Sequence, residues 1–79
     1  MRIDKFLKNS RLIKRRTVAK QACEMGRVKV NDKTVKAGYE VEVGDIISIE
    51  FGERIVKAEV LQLKETSFKD ESKEMIRVL

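Results

Sequence analysis

The sequence predicts an α+β domain in which two N-terminal helices pack on a small curved antiparallel sheet. Three observations carry that prediction. Apolar residues recur at helical spacing up to Gly26 and at alternate positions beyond it. The pairs Asn31-Asp32, Gly44-Asp45 and Gly52-Glu53 punctuate the alternating half as tight turns do. Charge is split along the same line: residues 1–36 hold 12 Lys/Arg against 3 Asp/Glu, residues 37–79 hold 6 against 10, so the halves carry +9 and −4. The 79 residues suit one small domain with a limited core, and no internal repeat is visible.

The first helix is expected over residues 3–10. Ile3, Phe6 and Leu7 share one face at i, i+3, i+4, and Lys5 and Lys8 fall on the other side. Asp4 lies in the first turn, where a carboxylate suits the helix dipole. Its plain reading is a helix-end or salt-bridge residue; the sharper one, compatible with it, is that it orients a nearby arginine. Asn9 and Ser10 end the helix, and Leu12 and Ile13 anchor the turn that follows.

The second helix is expected over about residues 15–25. Val18, Ala22 and Met25 form its apolar face, with Ala19 and Cys23 at the edge and the alanines allowing close approach. Gly26 stands where a left-handed C-cap is wanted. Cys23 reads as a small packing residue, since no base is available to activate it.

After Gly26 the period becomes two. Val28 and Val30 point one way, Arg27 and Lys29 the other. Residues 33–36 return from the Asn31-Asp32 turn, residues 37–39 are a loop, and Val41 and Val43 make another short alternating segment. In residues 46–51, Ile47, Ile49 and Phe51 share a face. Residues 54–63 are the longest strand, and the shift from Val56, Ala58 and Val60 to Leu61 and Leu63 suggests a bulge or bend. Residues 64–72 read as a polar linker in which Phe68 alone is apolar. Ser72 can cap a final helix over residues 73–79, but Ile76, Val78 and Leu79 equally suit a strand. The expected division is therefore a domain over residues 1–63 and a linker with a short C-terminal element over residues 64–79.

Composition excludes several classes. There is no histidine, so no histidine metal site or histidine general base exists. A single cysteine makes no internal disulfide. No apolar run approaches the ~20 residues that span a bilayer, and residues 1–6 have no signal-peptide core. The expectation is a cytoplasmic monomer with no cofactor, no metal and no membrane contact. Asp45 fits a turn better than a catalytic acid, since no carboxylate partner is evident.

The basic residues gather at the start of the second helix. Arg11, Lys14, Arg15 and Arg16 lie within six positions, and Lys20 follows one turn later. Most helices place Ser, Thr, Asp or Asn at this end. Cations there oppose the macrodipole, at about 0.3–1 kcal/mol each when exposed. A bound phosphate turns that cost into a gain, because dipole, free N–H groups and guanidiniums then act on one anion. The plainer reading is a solvated basic face, weakened by the clustering and by the +9/−4 split. Lys33 and Lys36 extend the patch if the hairpin folds back beside the helices. Phe6 and Phe51 read as core, which leaves few stacking platforms and favours shaped, structured RNA over a single strand.

Arg2-Ile3-Asp4 with Phe6-Leu7, then Arg16-Thr17-x-Ala19, Gly26-x-Val28-x-Val30-Asn31-Asp32-Lys33 and Val43-Gly44-Asp45-x-Ile47, resembles the S-four RNA-binding domain, also called the alpha-L RNA-binding motif. The match covers roughly residues 1–50. The usual Ser or Thr before the arginine of the second helix is here Arg15. By position, Arg2, Arg16 and Lys33 match the domain's RNA-facing motif, and helix geometry adds Lys5, Lys14, Arg15 and Lys20. Over its whole length the chain is similar to free-standing bacterial members of this domain type that serve ribosome-associated quality control, and to a ribosome-associated heat-shock protein. That resemblance implies a non-catalytic factor on stalled large ribosomal subunits. Such a factor touches rRNA and peptidyl-tRNA and works with RqcH as alanine tails are added. The candidate RNA-binding set is Arg2, Lys5, Arg11, Lys14, Arg15, Arg16, Lys20, Lys33 and Lys36. The alternatives are a general ribosome-associated heat-shock or rRNA-binding factor, or a protein adaptor that works through the acidic half, with Glu40, Glu42 and Glu50 on its surface.

Overall fold

The computed structural model describes residues 1–64 and 74–79. Helix α1 spans Ile3–Asn9 and α2 spans Arg16–Glu24. Five strands follow: β1 Val28–Val30, β2 Lys33–Thr34, β3 Ile46–Phe51, β4 Arg54–Val60 and β5 Ile76–Val78. They form one antiparallel sheet in the order β2-β1-β3-β4-β5. This is the expected α+β arrangement.

α1 packs against α2, and the helices share one core with the sheet. Ile3, Phe6 and Leu7 are fully buried, as their spacing requires. They meet Val28, Val30, Ile47, Ile49 and Val60 from alternate positions of β1, β3 and β4. The pairs Val28↔Ile49 and Val30↔Ile47 set the register that turns these residues to the helices.

The buried stripe of α2 differs from the expected one. Ala19 and Cys23 are fully buried, Ala22 is half-buried, and Val18 and Met25 are exposed. Small side chains let α1 come close, and Phe6 and Leu7 of α1 fill the volume. α2 ends as its sequence suggests. Gly26 has φ +75°, its N–H donates to Cys23 O, and that of Arg27 donates to Ala22 O, the paired bonds of a Schellman cap.

In the turn between β1 and β2, Asn31 and Asp32 both have positive φ (51° and 68°), the requirement of a two-residue type I′ hairpin. The carboxylate of Asp45 accepts from the N–H of Glu42 and from Asn31 Nδ2, and Asn31 Oδ1 accepts from the N–H of Ile46. These bonds tie the hairpin turn to the turn before β3, which accounts for Asp45 structurally.

Three further expectations change. The Val41/Val43 segment forms no strand: Val41 is buried, Val43 is exposed, and Glu40 makes only an isolated bridge with Arg2. Phe51 is 42% exposed, because it sits beside the Gly52-Glu53 turn at the far end of its hairpin. β4 stops at Val60 rather than at Leu63. Beyond it the N–H groups of Leu61 and Gln62 both donate to Met75 O, the doubled bond of a bulge, and both leucines stay partly exposed.

The C-terminal element is a strand, the second of the two options. β5 pairs with β4 through Val60↔Ile76 and Ala58↔Val78, and Met75 is fully buried in the shared core. Most of the expected linker, with Phe68 and the Ser72 cap, lies outside the described residues. No helix among the described residues is long and apolar enough to cross a membrane.

Candidate nucleic-acid interface

The two helix starts are treated differently. At α1, the loop of residues 37–40 supplies backbone acceptors: Ile3 N–H donates to Tyr39 O at 2.7 Å and Asp4 N–H to Ala37 O at 3.3 Å. At α2, Arg15 is the N-cap in an extended conformation, its side chain makes no capping bond, and the first turn holds no acid. Arg15, Arg16 and Thr17 are exposed there. An anion reaching this end meets open amides and guanidiniums together.

Asp4 organises the corner. Its side chain is buried, while those of Arg2 and Arg16 are each 48% exposed. Arg2 Nε lies 3.3 Å and Arg16 Nε 3.4 Å from its carboxylate. Asp4 Oδ1 also accepts the N–H of Lys5 at 2.8 Å. One buried anion thus holds two cations from separate segments, and the remaining guanidinium donors are left for a ligand.

Seven of the nine candidate residues line three clefts, not one. Arg2, Arg16 and Lys20, with Asp4 and Thr17, line a cleft of about 290 Å³. Arg11 and Lys14 line a second of about 300 Å³ with Lys8 and Asn9. Lys33 and Lys36 line a third of about 390 Å³ with Val30, Thr34, Val35 and Tyr39. Arg15 lies between the turn and α2, and Lys5 sits on α1, half-buried.

Sequence reasoning missed Lys8, Thr17 and Tyr39. Lys8 sits at i+3 from Lys5 and near the turn cations, which was the available signal. Tyr39 is one of the few aromatics not assigned to the core, but only the fold brings its loop to Arg2. Arg27 and Lys29 belong elsewhere. They line the outer side of the sheet with Lys57, Asp32 and Glu50, where charge is mixed.

Arg11 has φ 63°, a left-handed conformation unusual for a side chain larger than Asn. It stands just past the α1 C-cap, where glycine is usual, and its N–H donates to Lys8 O. Of the acidic residues, Glu40 pairs with the Met1 amino group, Glu59 with Arg77 and Glu74 with Lys64. Burial, reinforced by the negative charges of Asp4 and Glu24, pushes the Cys23 thiol up to about 11. It is held as an unreactive thiol. Among the described residues no His/Cys/Asp/Glu cluster fits a metal ion.

Fold and motif together define the class: an S4-domain protein, matched by the S4 domain family model over residues 1–47. More narrowly, the chain belongs to the family of RQC P-site tRNA stabilizing factors, the RqcP family. It is 51% identical to the member from Halalkalibacterium halodurans, covering 99% of this chain and 89% of that one. It is 46% identical to the Bacillus subtilis member over 100% of this chain and 92% of that one. Among solved structures, Heat Shock Protein 15 of Vibrio cholerae, described as trimeric, superposes with TM-score 0.91 at 25% identity, covering 100% of this chain and 81% of that one. The solution structure of hypothetical protein HP1423 superposes with TM-score 0.85 at 34% identity, covering 100% and 96%.

Proposed function

We propose that this chain is a non-catalytic factor of ribosome-associated quality control. It binds the large ribosomal subunit through rRNA and peptidyl-tRNA on stalled nascent chains, and it assists RqcH-dependent alanine tailing. The carrying observation is the pair of arginines, Arg2 and Arg16, held by buried Asp4 beside the uncapped start of α2. The family supports the tRNA part of the reading, since its members are named for stabilizing a P-site tRNA. The nine candidate cations form the RNA-facing side, with Arg2, Arg15 and Arg16 on phosphates at its centre.

The test is sedimentation with large subunits, with and without peptidyl-tRNA in the P site. The expected result is binding that weakens steeply with salt and tightens when the tRNA is present. An Arg15→Ala/Arg16→Ala protein that folds normally and still binds with unchanged salt dependence overturns the reading. The likeness to Heat Shock Protein 15 favours one second reading, a general rRNA-binding factor of the heat-shock type. Equal binding to subunits with and without tRNA would select it.

A further inference from the structure

The loop of residues 37–39 lends Tyr39 to one of the three clefts and lies against Arg2 of another. The backbone carbonyls of Ala37 and Tyr39 receive the first amides of α1, and a Cβ built on Gly38 would lie 4.0 Å from Arg2 Nη2. Arg2 therefore stands beside this loop, and Arg16 shares the Asp4 carboxylate with it. Through Tyr39 the same loop joins the cleft of Val30, Lys33, Val35 and Lys36, whose chemistry differs. Buried Val30 and Val35 give it an apolar floor, and Tyr39, 39% exposed, gives it an aromatic wall. Lys33 and Lys36 give it charge. Among the described residues no acid lines it and neither lysine has an ion-pair partner. Its volume of about 390 Å³ is of the size that holds a small aromatic ligand.

We propose that this cleft takes one unpaired nucleobase of the bound RNA, stacked on Tyr39, with the adjoining phosphates on Lys33 and Lys36. The Arg2–Arg16 cleft beside it holds the backbone of the neighbouring paired segment. A ring above apolar residues accepts the face of any base, and cations at its rim require an anion next to that base. An apolar peptide side chain would leave both lysines without a counter-charge. The inference rests on the RNA reading above and adds to it a preference for duplex interrupted by an unpaired nucleotide.

The chain has one tyrosine and no tryptophan, so its intrinsic fluorescence reports Tyr39 alone. The full chain is titrated with a short RNA duplex, then with the same duplex carrying one unpaired adenosine. Expected is about fivefold or greater preference for the interrupted duplex, with tyrosine quenching that the uninterrupted duplex does not give. Tyr39→Phe keeps the preference. Tyr39→Leu loses it and still binds the plain duplex, because the carbonyl that receives Ile3 N–H belongs to the backbone. Should Tyr39→Leu lose its cooperative urea transition, Tyr39→Met carries the same comparison. Equal affinity for both RNAs without quenching overturns the base cleft and leaves the phosphate site standing. Binding to neither RNA overturns the RNA reading itself, and this inference with it.

Discussion

Arg16, the first residue of α2, reaches back to the carboxylate of Asp4 in the first turn of α1, with Nε 3.4 Å away. That carboxylate is buried and already faces Arg2 at 3.3 Å. The contact fixes how the two helices meet, and it places two guanidiniums side by side that would otherwise repel. Like charges at this spacing are tolerable because a shared anion lies between them.

Removing that anion separates two effects of opposite sign. Asp4→Asn keeps the shape of the side chain and raises net charge by one, which by itself strengthens binding to a polyanion. It also frees both arginines from their common anchor. We expect orientation to win: stability falls by about 1–2 kcal/mol, discounted because the guanidiniums are half-exposed, and affinity for large subunits falls with it. Urea melts and subunit sedimentation measure the two effects. Tighter binding by the folded variant would show that charge alone governs the site.

Arg11 offers a trade between stability and binding. Its left-handed backbone costs an L-residue roughly 1 kcal/mol that glycine does not incur. Arg11→Gly should therefore raise the unfolding free energy read from urea melts by about that amount, less what the more flexible unfolded chain takes back. The same variant should bind subunits more weakly, since it removes a cation from the cleft of Lys8 and Lys14. A variant that is both less stable and unchanged in binding would mean that the conformation is unstrained and the side chain idle.

These residues also show how far the sequence is legible. The fold class follows from periods and turns, because Ile3, Phe6 and Leu7 leave one choice of face and Asn31-Asp32 suits a type I′ turn. α2 offered two stripes, Val18/Ala22/Met25 and Ala19/Cys23, and size favoured the wrong one. Hydropathy does not record how near α1 comes, and near approach selects small residues. Phe51 looked like core for a related reason: alternation gives the face of a strand but not how far along it the helices cover. At the site, clustering of Arg11, Lys14, Arg15 and Arg16 marked the corner. Its division into separate clefts depends on the side to which each chain turns. The place of Tyr39 depends on a loop folding back over some thirty-five residues to meet Ile3 and Asp4.

Cys23 gives a pH-dependent test. Its folded pKa of about 11 lies above the usual value of 9.0. The native state therefore holds the proton more tightly, and this contribution is whole below pH 9 and lost as pH rises toward 11. Stability should fall through that window more steeply for the natural chain than for Cys23→Ala, which controls for lysine and tyrosine titration. At pH 8 about one native thiol in a thousand is ionised, so iodoacetamide should label Cys23 only as fast as the chain unfolds. Rapid labelling of the folded protein would contradict the burial.

Asp45 distinguishes a turn residue from a chemical one. Its carboxylate accepts from Glu42 N–H and Asn31 Nδ2, both exposed. Asp45→Ala should cost about 1 kcal/mol, the net worth of such bonds, by loosening the turn before β3. Subunit binding by the fraction that remains folded should not change. Lost binding at full stability would assign Asp45 to the interface.

Arg16 and Lys57 carry the same formal charge, and salt dependence tells a phosphate contact from a surface cation. Each phosphate neutralised adds roughly 0.7–0.9 to the steepness of log affinity against log salt. Arg16 lies beside the open start of α2, whereas Lys57 lies on the outer side of the sheet among Glu50 and Asp32. Both substitutions remove one positive charge, so a diffuse field would respond equally to either. With Arg16 on a phosphate, Arg16→Ala lowers the slope by about one unit and Lys57→Ala leaves it unchanged. Affinities for large subunits measured over a range of potassium concentrations supply both slopes. Equal slopes for the two variants would place the RNA somewhere other than this helix corner.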